Sequence, residues 1–114
     1  MPIGGNVMKK PLIVLSTLPD EDSAGRIAEE ILQKRLAACV TVSPGVLSLY
    51  WWRGKISRDR EFMLIIKTTA PRYNELEALL RERHPYEIPE ITAVPIEKGY
   101  PAYLEWLEQE TSTG

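Results

Sequence analysis

From Cys39 to Thr69 the chain reads as strand almost without a break, and this stretch decides most of what the fold can be. Cys39-Val-Thr-Val42 begins a strand, Pro44-Gly45 interrupts it, and Val46-Leu-Ser-Leu-Tyr-Trp-Trp52 resumes it. Pro44 removes a ladder donor and Gly45 accepts unusual dihedrals, so the pair predicts a bend or bulge. Arg53-Gly54 then supplies a tight turn, and Ile56 to Thr69 returns as the partner strand. The return is uneven: Ser57-Arg-Asp-Arg-Glu61 is charged, whereas Phe62-Met-Leu-Ile-Ile66 is apolar. The apolar half should lie over the domain's own helices, with the hairpin tip projecting beyond them.

The flanking segments alternate in period. Pro11-Leu-Ile-Val-Leu-Ser-Thr17 is a short apolar run of the kind buried on both faces. Pro19-Asp20-Glu21-Asp22 places carboxylates at the positive end of a helix, and Ile27, Ile31, Leu32 and Leu36 recur at helical spacing over Ser23–Ala37. Glu30 and Lys34 form an i,i+4 pair on its wet side. Thr69-Ala-Pro71 opens a second helix with the stripe Tyr73, Leu76, Leu79, Leu80 and an exposed pair, Glu77 and Arg81. His84-Pro85 ends it, because the residue before proline is pushed out of helical dihedrals. Ile91, Ala93-Val94 and Ile96 make a fourth strand whose Pro95 suits an edge or bulge. Tyr100-Pro101 starts a short last helix carrying Tyr103, Leu104, Trp106 and Leu107.

The order is β-α-β-β-α-β plus a terminal helix, the α+β arrangement called ferredoxin-like. Residues 1–10 read as a loose arm, 11–110 as one domain and 111–114 as a tail. Two helices cover one sheet face, and no helix of sufficient length remains for the other. Its apolar residues need a partner, and another copy of the chain is the simplest one.

Composition narrows the function classes. The 114 residues suit one domain, with 44% apolar and 26% charged residues. A formal charge of −2 offers phosphates no net basic field, so no nucleic-acid partner is expected. No segment has the length of a signal peptide core or a membrane span, so no membrane partner is expected either. The one cysteine, Cys39, has no internal partner, which suits a reducing cytoplasm.

Tyr50-Trp51-Trp52 is the most unusual local feature. Core packing is one reading; the charges around it (Arg53, Lys55, Arg58, Asp59, Arg60) favour a subunit interface. His84-Pro-Tyr-Glu-Ile-Pro-Glu90 is the second dense cluster, with the only histidine, a phenol and two carboxylates on a stiff segment. His84 reads first as a helix C-terminal residue, and a metal needs at least three convergent donors, of which the segment offers His84 with Glu87 or Glu90. Cys39 reads as an inward structural thiol, with a ligating thiol as the alternative. There is no Gly-rich phosphate loop, Cys-x-x-Cys, His-Glu-x-x-His or Gly-x-Ser-x-Gly, so no enzyme and no organic cofactor are expected.

Five separated stretches together resemble one family. Arg35-Leu-Ala-Ala-Cys-Val40, Leu49-Tyr-Trp-Trp-Arg-Gly-Lys-Ile56, Ile66-Lys-Thr-Thr69, His84-Pro-Tyr-Glu-Ile-Pro-Glu-Ile91 and Tyr103-Leu-Glu-Trp106 are similar to the CutA divalent-cation tolerance proteins, in order from about Leu12 to Leu107. The resemblance implies a homotrimer with the architecture of PII signalling proteins, its long hairpin reaching across to neighbouring subunits. It implies divalent metal ions, copper or zinc, as ligands; at sites between subunits, His84, Glu90 and Glu87 of the extended segment are the donors expected, with Ser16 or Cys39 as a further contributor. In some bacterial members the copper ligands proposed are a cysteine and two histidines. Those positions are here Ser16, Arg83 and His84, so the thiolate that selects copper is replaced and an arginine stands where a ligand would. A PII-like sensor of small organic molecules is the alternative.

Overall fold

The computed structural model describes residues 9–112. The elements run β1 (Pro11–Leu18), α1 (Glu21–Gln33), β2 (Cys39–Trp52), β3 (Lys55–Thr69), a single 3-10 turn (Ala70–Arg72), α2 (Tyr73–Arg83), β4 (Thr92–Pro95) and α3 (Pro101–Glu110). One four-stranded sheet has the order β2-β3-β1-β4, every neighbouring pair antiparallel. This is the ferredoxin-like α+β fold with an added C-terminal helix.

Alternation along the strands sorts the sheet into two faces. Val14 and Ser16 of β1 pair across the ladder with Ile66 and Leu64 of β3, Leu18 pairs with Phe62, and these side chains point under the helices. There they meet Ala24, Ile27 and Ile31 of α1 and Leu76, Leu79 and Leu80 of α2 in one buried cluster. Each large aliphatic side chain in it contributes about 1.5–3 kcal/mol by leaving water. Ile13, Leu15, Met63, Ile65 and Val94 face the other way, with neither α1 nor α2 over them. Leu107 and Thr111 of the returning chain are buried at one end of the sheet, where the Thr111 hydroxyl lies 3.3 Å from that of Thr69. Thr111 is thus packed, although a tail was expected from residue 111. Of the expected N-terminal arm, residues 1–8 lie outside the described residues.

Two expectations are corrected. α1 stops at Gln33, short of the expected Ala37. Arg35 takes φ +57, and its N–H and that of Leu36 return to the carbonyls of Leu32 and Ile31. That left-handed closure turns the chain so that Leu36 and Ala37 enter the core. Arg72 donates to the carbonyls of Lys34 and Arg35, both at 3.1 Å, and so occupies acceptors beyond the helix end. Cys39, expected inward, is half-buried and pairs with Lys67 on the face away from α1 and α2.

The hairpin follows the uneven pattern of its sequence. The β2–β3 register shifts between Ser43 and Val46, with Gly45 at φ +67. Arg53 (φ +51) and Gly54 (φ +80) form the turn, both left-handed. Almost all of Lys55–Arg60 is exposed, whereas burial resumes at Glu61. The molecule measures 54 × 26 × 22 Å. Its radius of gyration, 15.5 Å, exceeds the roughly 13 Å of a compact chain of this length because the hairpin overhangs.

Candidate functional site

Pro85 forces His84 into extended backbone (φ −73, ψ 135), so the chain leaves α2 sharply and runs beside the sheet towards β4. Between this segment and the outer half of β2 opens a cleft of about 870 Å³. Residues 47–52 form one wall, residues 85–88 and Glu90 the other, and Thr17 and Glu61 reach it from the sheet.

His84 is the hinge pin of the segment. It is buried, and its Nε2 lies 2.8 Å from the Thr17 carbonyl, on a part of β1 that β4 does not reach. A carbonyl only accepts, so Nε2 carries the proton. The Tyr86 backbone N–H donates to Nδ1 at 3.2 Å, so that nitrogen holds the lone pair. The neutral ring therefore spends both nitrogens on backbone. Burial, above all, pushes its pKa below the ordinary value, against smaller opposing effects of the Thr17 hydrogen bond and Glu61.

Beyond the pin, Tyr86 donates its hydroxyl to Glu61 Oε2 at 2.6 Å. Glu61 is only 5% exposed. Burial and then this hydrogen bond push the Tyr86 phenol well above its usual range, so it stays a donor. Tyr50 donates likewise to Asp59, which raises its pKa too. Register places Tyr50 and Trp52 on the same side of the hairpin as Asp59 and Glu61, and Leu49 and Trp51 on the other with Ile56. The three adjacent aromatics thus alternate between the two sides of the hairpin.

The donors expected for a metal are not gathered. Ser16 points into the layer beneath the helices, fully buried, with no partner for its hydroxyl among the described residues. His84 has no free lone pair. Glu87 and Glu90 do line the cleft, Glu90 accepting from the Thr92 hydroxyl at 3.0 Å and Glu87 lying 3.5 Å from Arg53. Arg83 is engaged elsewhere: its Nε and Nη2 grip both oxygens of Glu30 at 3.0 Å, tying α2 to α1. This fork, with help from Lys34, holds the Glu30 carboxyl at about 2. The imidazole and thiolate set that suits copper does not fit these residues; the exposed carboxylates suit a harder ion. Among the described residues, no three of His, Cys, Asp and Glu converge on one point. Glu61 was the residue that sequence reasoning missed. It ends a run of surface charges, and nothing but the onset of the apolar Phe62–Ile66 marks it as buried.

The fold and cleft define a class: small ferredoxin-like α+β proteins with an extended central hairpin. Within that class the chain belongs to the CutA1 divalent ion tolerance protein family, whose model matches residues 12–110. It is 42% identical over 99 residues to the divalent-cation tolerance protein CutA of Thermus thermophilus, covering 87% of this chain and 96% of that protein. The rice protein CutA 1, chloroplastic, is 41% identical over 100 residues, 88% of this chain but 56% of the longer rice protein. The crystal structure of CutA1 from Oryza sativa superposes with a TM-score of 0.90 at 38% identity, over 94% of this chain and 98% of that one. The structure of CutA from Archaeoglobus fulgidus, described as a periplasmic divalent cation tolerance protein, gives 0.86 at 36% identity, over 90% of this chain and 99% of that one.

Proposed function

We propose that this chain is a homotrimeric divalent-cation tolerance protein that holds metal ions at sites completed between subunits. The observation that carries the assembly is bare apolar surface. Leu49, Trp51 and Ile56 stand 55%, 72% and 62% exposed on the side of the overhanging hairpin that continues the helix-bearing face past the ends of the helices. The sheet's other face carries Ile13, Leu15 and Ile65 with neither α1 nor α2 over them. Water-exposed aromatic and aliphatic side chains grouped in this way suit a subunit contact. Metal binding is supported by the family and by the exposed carboxylates Glu87 and Glu90. With no trio of donors converging among the described residues of one chain, a second copy supplies the rest. The role is binding rather than catalysis, and the single cysteine suits the cytoplasm, which cell fractionation would check.

Zinc titrated calorimetrically into the assembled protein tests the metal assignment. Exchanging Glu87 and Glu90 together for Gln should weaken binding at least tenfold, and His84→Gln, which keeps a donor for the Thr17 carbonyl, should weaken it far less. Equal binding by the carboxylate variant would remove this site.

A second reading, a PII-like sensor of small organic molecules, is favoured by the cleft itself. Its 870 Å³ falls within the roughly 300–1,000 Å³ of small-molecule sites.

A further inference from the structure

We infer that the cleft receives an organic cation, an ammonium or guanidinium head on an apolar stem. The inference rests on the second reading above and names the ligand class for that cleft.

The described lining contains three carboxylates, Glu61, Glu87 and Glu90, and no lysine, arginine or histidine. Glu61 carries the argument furthest. It is 95% buried, it receives one hydrogen bond, from Tyr86, and among the described residues it joins no ion pair. A carboxylate so withdrawn from water, and without a counter-ion, favours entry of a positive group. Tyr50, Trp52 and Tyr86 supply aromatic surface beside it. Ring faces attract a weakly hydrated organic cation and give an apolar stem a dry wall. An inorganic ion with a tight water shell uses the carboxylates but gains little from the rings.

The rim already shows this chemistry in miniature. The Arg53 guanidinium lies 5.4 Å from the Trp52 ring centroid, and its Nη2 is 3.5 Å from Glu87. An indole and a carboxylate thus share a cation of the chain's own. Arg53 is 75% exposed and its ion pair is long, so it leaves the interior to another cation.

Tryptophan fluorescence of the assembled protein, titrated with butylammonium, tests the proposal, with butan-1-ol as the neutral match, acetate as an anion and magnesium as an inorganic cation. Butylammonium should give a saturable change that Trp52→Phe diminishes, at least tenfold tighter than butan-1-ol or magnesium. Glu61→Gln, which keeps a group for Tyr86 to bond, should weaken the amine at least tenfold while sedimentation stays unchanged. Should Glu61→Gln fail to fold, the exposed Glu90→Gln should weaken it severalfold. Amine binding that survives loss of either carboxylate overturns the inference. So does a Glu61→Gln protein that loses the amine only together with its assembly, since a second copy's basic side chain would then fill the cleft. Saturable binding of butan-1-ol or acetate without preference for the amine overturns the ligand class and leaves the sensor reading standing. No response to any organic compound ends both.

Discussion

Single side chains in this protein take their roles from what their lone pairs and protons already do. His84 is the clearest case. As the only histidine, in a segment with two carboxylates, it invited a ligand role, yet the fold uses it to hold the Thr17 carbonyl and the Tyr86 amide. Burial lowers its pKa below the 6.5 of an unfolded histidine. The unfolded chain then takes up the proton first, so this contribution is complete above that value and is lost as pH falls through it. Melting followed from about pH 7.5 to about pH 5.5 should show a falling Tm. His84→Gln, which keeps a donor but does not titrate, should be less stable at the upper pH and show a shallower slope. An unchanged slope would relieve His84 of that part. Ser16 teaches the same lesson differently: the family resemblance made it a candidate ligand, and strand alternation turns it into the core.

Secondary-structure elements were legible wherever local chemistry alone sets them. The strand break at Pro44-Gly45, the turn at Arg53-Gly54 and the stop at His84-Pro85 stand where the dihedral preferences of proline and glycine put them. The end of α1 was not legible, because its closing residue is Arg35, a residue with no preference for φ +57. The apolar spacing through Leu36 reads as continued helix, while that side chain fills the core from a loop. At the hairpin turn, a Cβ added to Gly54 meets no atom within 4 Å, so Gly54→Ala isolates the conformational cost of φ +80. The variant should lose about 1–2 kcal/mol. Denaturant titration at fixed protein concentration would measure this; a midpoint equal to that of the wild type would argue against a rigid left-handed turn.

For the whole molecule, the order of strands and the half-covered sheet were legible, since period and element count alone demand them. Strand period also divides the aromatic triplet, but which side lies barer was not legible: Trp51 stands 72% exposed and Trp52 37%, on opposite sides of the hairpin. If the hairpin docks on a neighbour through its outer side, Trp51→Ala should cost about 2 kcal/mol or more of association. Trp52→Ala should cost clearly less. Sedimentation at nanomolar protein would compare them, and equal loss from both would dissolve the distinction. A wild-type protein that stays monomeric at micromolar concentration would remove the trimer.

The sequence by itself determined the elements and their order, because hydrophobic period, proline and glycine act on neighbours a few residues away. Only the tertiary structure decided that Glu61 is buried, that His84 has no free nitrogen and that Ser16 and Glu87 do not meet. Those outcomes depend on which strands lie side by side, and burial and hydrogen-bond partnership are properties of distant segments brought together.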